Sequence, residues 1–198
     1  MEVLILIPDK FKERMKTYLG EKEYEDFLSS FDNDKRYHAL RINSLKSSLE
    51  AIKDNLDIVK EQVPWEEKGF YYDDEAQPGK HPYHEAGLYY IQEPSAMAPV
   101  YFLDPKPGEK ILDLCAAPGG KTSQIASYMK GEGILVTNEI NRDRAKILSL
   151  NVERLGINNA LVLNEDSAKL SEVFEGYFEK ILVDAPCSGE GMFRKNDN

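Results

Sequence analysis

Cysteine is scarce in this chain: two occur in 198 residues, Cys115 and Cys187, far apart and each close to a proline and small residues. A disulfide framework is therefore not what holds the fold together. Basic residues are also short, 25 against 35 acidic, for a formal net charge of −10. That composition does not advertise nucleic-acid binding, so any such reading must rest on motifs rather than on charge. Long apolar runs are missing too, and nothing approaches the roughly 20 residues a membrane span needs. The opening MEVLILI carries an acid at its second position and only five apolar residues before Pro8. It is too short and wrongly charged for a signal peptide, so a cytoplasmic protein with no membrane partner is expected. Histidine is rare as well: His81 and His84 sit in one short stretch, but no cysteine or third histidine lies near them, and no metal site is expected. What is present, 41% hydrophobic and 30% charged residues, describes a globular chain with length enough for a sizeable core.

Residues 8–31 read as two short helices. Pro8 suits a first turn, Phe11, Met15 and Leu19 recur every four residues, Gly20 stops the run, and Tyr24, Phe27, Leu28 and Phe31 form the stripe of the second. A strand follows at 38–43, with Ala39, Arg41 and Asn43 alternating with Leu40 and Ile42. Ser44 is placed to cap a helix with the stripe Leu45, Leu49, Ile52 and Leu56, and a second strand is expected around 68–72. This βαβ-like order predicts a small α/β domain, with a boundary in the polar loop 73–85. The expected division is residues 1–86 and 87–198.

The second part alternates strands and helices, the pattern of a parallel sheet covered by helices. GLYYIQ (87–92) is a strand and Pro94 begins a helix. Further strands are expected at 111–114, 134–139, 161–165 and 180–184, and helices at 120–130, 142–155 and 167–175. The clearest helix places Ala145, Leu148, Val152 and Leu155 on one face and ends at Gly156.

In a sheet of this kind ligands bind at the carboxyl ends of the strands. Asp113, Glu139, Asp166 and Asp184 each fall at such an end. Between the first strand and its helix runs Cys115-Ala116-Ala117-Pro118-Gly119-Gly120-Lys121, a small-residue turn into a helix N-terminus, which is the form of a nucleotide cradle. It lacks the glycine spacing of a dinucleotide site and is not a P-loop. Asp113 just before it would repel a pyrophosphate but suits the ammonium of a methionine moiety. The turn thus favours S-adenosylmethionine over NAD, and a carboxylate at the end of the second strand, Glu139, suits ribose hydroxyls. Cys187, on a glycine-rich loop after the fourth strand, could act as a nucleophile with Asp184 managing protons, or could be a small buried hydrophobe. Cys115 reads as structural, lining the turn.

At these residues the chain resembles the RNA 5-methylcytosine methyltransferases of the NOL1/NOP2/Sun type. YIQEPSAM (90–97), DLCAAPGGKT (113–122), NEINRDR (138–144), NVERLG (151–156), LNED (163–166) and DAPCSGEGMFRK (184–195) occur in the family's order, and HALRINSLK (38–46) is similar to its N-terminal element. The likeness spans nearly the whole chain and points to the bacterial branch that modifies 16S ribosomal RNA. It implies a Rossmann-like class I methyltransferase sheet, truncated after about its fourth strand, preceded by a small α/β domain that recognises RNA. It also implies S-adenosylmethionine held by residues 115–121, ribose on Glu139, the adenine edge on Asp166, and Asp184 where methyl group and base meet. The implied acceptor is C5 of a cytosine in RNA, ribosomal before transfer RNA. A cysteine thiolate adds to C6, C5 takes the methyl group, and loss of the C5 proton expels the cysteine.

The resemblance also reassigns Cys187. In the family the attacking cysteine lies in a later Thr-Cys motif, and the cysteine of Asp-Ala-Pro-Cys assists product release. No such motif occurs up to Asn198, so the chain is expected to be the N-terminal part of a longer enzyme and inactive alone. Two further readings compete: a non-catalytic RNA-binding or ribosome-assembly protein keeping the cofactor fold, and an oxidoreductase. Arg36, Arg41, Lys46, Arg194 and Lys195 are candidate phosphate contacts.

Overall fold

The structure, a computed structural model, describes residues 7–31, 37–53, 57–73 and 75–187. The chain divides into two compact units, Tyr37–Ala185 and the flanking residues Met1–Arg36 with Pro186–Asn198. In the flanking unit, α1 (Asp9–Ser29) is broken at Gly20, whose φ of 74° is non-helical, so two helices are present as the sequence predicts. None of its residues is fully buried. The expected apolar stripes form a half-buried face on which Phe11 and Phe27 lie 6.1 Å apart and Phe27 and Phe31 5.1 Å apart.

Residues 37–185 hold two sheets. The first is antiparallel, in the order β2-β1-β3, from β1 (His38–Ile42), β2 (Gly69–Tyr72) and β3 (Tyr89–Ile91). The expected βαβ-like order is corrected here. Residues 60–63 pair with β2 through Lys60 N to Tyr71 O (2.8 Å), Tyr71 N to Glu61 O (2.9 Å) and Val63 N to Gly69 O (2.8 Å). That hairpin reverses the chain, so β2 returns antiparallel to β1. The intervening helix, α2 (Leu49–Lys53), starts later than predicted because Ser48, not Ser44, accepts the capping bond, from Ala51 N. Leu56 lies outside the described residues. Strand β1 is buried on both faces: Ala39, Leu40, Arg41 and Ile42 are all within 2% of full burial.

After α3 (Pro82–Glu85) and α4 (Pro94–Leu103) comes the second sheet, from β4 (Lys110–Asp113), β5 (Ile134–Asn138), β6 (Ala160–Leu163) and β7 (Lys180–Leu182). It is parallel throughout, in the order β6-β5-β4-β7. The strand order reverses between β5-β4 and β4-β7, and the ends of β4 and β5 beside that point are where such a sheet takes a ligand. Helices α5 (Gly120–Met129), α6 (Arg142–Arg154) and α7 (Ser167–Val173) connect the strands, each within two residues of the range the sequence indicates. The predicted stripe of α6 is confirmed, with Ala145, Leu148, Val152 and Leu155 all buried.

The core of this half joins Ile111 and Leu135 of the sheet to Ile125, Met129, Leu148 and Leu155. Each of these side chains is at most 1% exposed, and full burial stabilises the fold by about 1.5–3 kcal/mol apiece. The next row of the sheet ends differently: Leu161 on β6 and Ile181 on β7 are 51% and 52% exposed. β7 is thus an apolar outer strand of the sheet. No helix among the described residues is long and apolar enough to cross a membrane.

Candidate cofactor site

The site is built where β4 runs out. Ala116 N bonds Asn138 O (2.8 Å), so the turn after β4 is tied to the end of β5. Gly119, at φ 111°, is the N-cap of α5 and follows a cis Ala117–Pro118 bond. A side chain at Gly120 would put its Cβ 3.1 Å from Tyr90 Cε1 and 3.4 Å from Gln92 Nε2, tighter than ordinary packing allows. The turn therefore lies close against β3, and its glycines answer to conformation and space.

Asp113 closes β4 and is fully buried. Its Oδ2 accepts from Thr122 Oγ1 at 2.7 Å, and that hydroxyl is 2.9 Å from Thr137 Oγ1. Among the described residues Oδ1 has no hydrogen-bond partner. Burial pushes the carboxyl up to about 6, against the Thr122 hydrogen bond and the Lys121 charge. A buried carboxylate with one oxygen unsatisfied is costly unless a donor reaches it. An ammonium group is such a donor, so the residues present fit a methionine moiety.

Glu139, just past β5, is 2% exposed. Its Oε1 accepts from Asn141 N (2.9 Å) and its Oε2 lies 3.3 Å from Arg144 Nη1. Arg144 also donates to Ala117 O (2.6 Å), and Asn151 donates to Pro118 O (2.8 Å). Helix α6 thus grips the turn at two successive carbonyls. Asn138 ties three strand ends together, donating to Leu114 O and Glu165 O and accepting from Glu165 N. Asp166 caps α7, accepting from Ala168 N at 2.8 Å. Asp184 pairs with Lys121 at 2.6 Å, which joins the turn to the segment after β7. Ala116 and Ala117 are buried, as close packing of the turn requires.

Neither cysteine is in a disulfide. Cys115 is half-buried, and burial pushes its thiol up, with Glu139, Asp113 and Asp184 adding to the effect and Arg144 opposing it. A thiol so held is a poor nucleophile at neutral pH. Cys187 is exposed, and the motif beyond it, from 188 on, lies outside the described residues.

Of the candidate phosphate contacts, Arg36, Arg194 and Lys195 also lie outside the described residues. Arg41 is corrected: it is buried with its Nε and Nη2 donating to Gln92 Oε1, Gly120 O and Ser123 Oγ, so it is turned into the fold and not toward a phosphate. Lys46 is spent on two carbonyls, Arg154 O (2.7 Å) and Ala86 O (3.1 Å). His81 Nδ1 accepts from Tyr83 N, a local cap, and no cluster of metal-ligating side chains occurs among the described residues.

Thr122, Thr137, Asn138, Arg144 and Asn151 are site residues that sequence reasoning missed. Thr122, Asn138, Arg144 and Asn151 carried a signal, since they lie within the motifs DLCAAPGGKT, NEINRDR and NVERLG. Thr137 carried none.

Residues 100–198 match the family described as 16S rRNA methyltransferase RsmB/F, and residues 7–94 match the N-terminal domain of 16S rRNA methyltransferase RsmF. A ribosomal RNA small subunit methyltransferase F from Vibrio parahaemolyticus is 40% identical over 98% of this chain and 42% of its own length. A tRNA (cytosine(49)-C(5))-methyltransferase from Pyrococcus abyssi is 44% identical over 80% of this chain and 52% of its own. The crystal structure of a methyltransferase homologue from Pyrococcus horikoshii superposes with a TM-score of 0.83 at 32% identity, covering 97% of this chain and 63% of that one. The chain spans about two fifths to one half the length of these two sequence relatives. A parallel sheet in this order, the small-residue turn after β4 and the match over residues 100–198 agree, and the chain belongs to the RsmB/F family of 16S rRNA methyltransferases.

Proposed function

We propose that this chain forms the RNA-recognition and cofactor-binding part of an S-adenosylmethionine-dependent enzyme that methylates C5 of a cytosine in 16S ribosomal RNA. The observation that carries the reading is the buried Asp113 carboxylate, one oxygen unsatisfied, at the head of a turn that ends on a helix N-terminus. Residues 115–121 hold the cofactor, Asp113 receives its ammonium, Glu139 its ribose hydroxyls and Asp166 its adenine edge. When bound, S-adenosylmethionine supplies an electrophilic methyl group. Asp184, paired with Lys121, stands where the base would meet it.

C5 of cytosine becomes nucleophilic only when a thiolate adds to C6, and the base must leave its stack to be reached. Cys115 is unsuited to that addition because burial disfavours its thiolate. The attacking cysteine is assigned to a Thr-Cys motif outside these 198 residues, with Cys187 assisting product release. Residues 1–86 recognise RNA and residues 87–198 carry the methyl-transfer machinery, although β3 completes the first sheet and so ties the two together. The enzyme works in the cytoplasm. The likeness to a tRNA (cytosine(49)-C(5))-methyltransferase makes transfer RNA the second acceptor to try.

The test is methyl transfer by the full-length protein from labelled S-adenosylmethionine to small ribosomal subunits and to transfer RNA, with bisulfite sequencing of the product. One protected cytosine in 16S RNA is expected. Label at a position other than C5, or label on transfer RNA alone, would refute the assignment. The 198-residue chain by itself is expected to transfer no methyl group.

A further inference from the structure

We infer that Arg41, on the central strand of the N-terminal sheet, is a positioning residue that sets the first turn of the cofactor helix α5. The inference rests on the proposed cofactor site and adds to it a residue that lies outside the turn.

Arg41 Nη2 donates to Gly120 O at 3.1 Å and to Ser123 Oγ at 2.7 Å, and its Nε donates to Gln92 Oε1 at 3.3 Å. Ser123 Oγ in turn donates to Gly120 O (3.0 Å), and Gln92 Nε2 donates to Ala96 O (3.2 Å). One guanidinium thus fixes the first residue of α5, the fourth residue of α5 and the segment after β3 at once. Gly120 is also the residue whose missing Cβ lets the turn approach Tyr90 and Gln92. The carboxylate that acts on Arg41 is Glu66, also buried, which accepts from Gln124 Nε2 on α5 and lies 3.3 Å from Tyr128 Oη.

A buried guanidinium costs several kcal/mol of desolvation, and an apolar side chain would fill this space without that cost. What an apolar residue could not do is bind two polar groups of α5 and one of the segment after β3 together. Burial lowers the guanidinium to about 10, still well above neutral pH, so the group stays charged. Asn43, just past β1, extends the grip: its Nδ2 donates to Gly87 O and to Leu155 O, both at 2.8 Å, beyond the end of α6. Arg41 on β1 and Asn43 just past it therefore hold the start of α5 and the end of α6, the two helices that contact the cofactor turn.

The test is calorimetric titration of the full-length protein with S-adenosylhomocysteine, together with steady-state methylation and thermal unfolding, for wild type, Arg41→Gln, Arg41→Lys and Ser123→Ala. Arg41→Gln is expected to weaken binding and raise the KM for S-adenosylmethionine about tenfold or more, from the loss of charge-assisted bonds. The KM for RNA should stay within about twofold, because the side chain is turned into the fold and not toward a phosphate. Arg41→Lys should recover part of the loss. Ser123→Ala, which removes one acceptor and leaves the charge, should cost about threefold in affinity and covers the case in which Arg41→Gln does not fold. Variants that bind as tightly as wild type while melting earlier would overturn the inference, as would a rise in the KM for RNA instead. If wild type itself does not bind S-adenosylhomocysteine, the cofactor reading falls first.

Discussion

The most exacting prediction concerns Asp113, because its burial acts on stability and on ligand affinity in opposite directions. Its carboxyl titrates near 6 in the folded protein against 3.8 for an exposed group, burial being the largest cause. The native state therefore holds this proton more tightly than the unfolded chain. The site contributes most stability below pH 3.8, and the contribution falls as pH rises through 6, by about 3 kcal/mol on the scale of 1.36 kcal/mol per unit. Cofactor binding runs the other way. If the carboxylate must be ionised to receive an ammonium group, affinity is full at pH 8 and falls as pH drops through 6, about tenfold weaker by pH 5. Isothermal titration of S-adenosylhomocysteine at pH 8, 7, 6 and 5 measures this, with thermal unfolding of the ligand-free protein over the same range. Asp113→Asn, which keeps an acceptor for the Thr122 hydroxyl, should bind about tenfold more weakly at pH 8 and lose the pH dependence. An affinity that is flat from pH 8 to pH 5 in wild type, or full affinity in Asp113→Asn at pH 8, would refute the role given to Asp113.

Glu139→Gln should lower affinity for S-adenosylhomocysteine about tenfold, since ribose hydroxyls then lose a charged acceptor, and the same titration reads it. Leu148→Ala should lower stability by about 2–5 kcal/mol, because the side chain is fully buried under the sheet; denaturant unfolding with an unchanged midpoint would contradict that. Alkylation of Cys115 at pH 8, followed by mass spectrometry, should run at least about tenfold slower in the folded than in the urea-unfolded protein, as its raised thiol and half-buried position require.

Much of the second sheet was legible in the sequence because each element carries a local signal. Ile111–Leu114 is a short apolar run between turn residues, and the stripe of α6 repeats at helical spacing, so the strands and helices fall close to their expected places. The turn after β4 could be located for the same reason, since its small residues lie between an apolar strand and the start of a helix. The antiparallel return of β2 could not be read, since it depends on residues 60–63 pairing with residues 69–71, and nothing local distinguishes that hairpin from a crossover. Ser48 displaced Ser44 as a cap for the same kind of reason, both being chemically able to serve.

Arg41 marks the limit most clearly. In the sequence it is a basic residue in a polar-looking strand, and a phosphate contact is a reasonable expectation. Only the packing of the first sheet against α5 buries it and turns its donors to Gly120 O and Ser123 Oγ. Asp113 shows the complementary case: its residue type and place before the turn were enough to mark it as a candidate site residue. Its burial, its bond to Thr122 and the oxygen left without a partner come from contacts among β4, β5 and α5. The sequence by itself determined the order of elements and the kind of turn, because those follow from spacing along the chain. The tertiary structure decided which charges are buried and what they hold, because that depends on surfaces brought together from residues as far apart as 41 and 123.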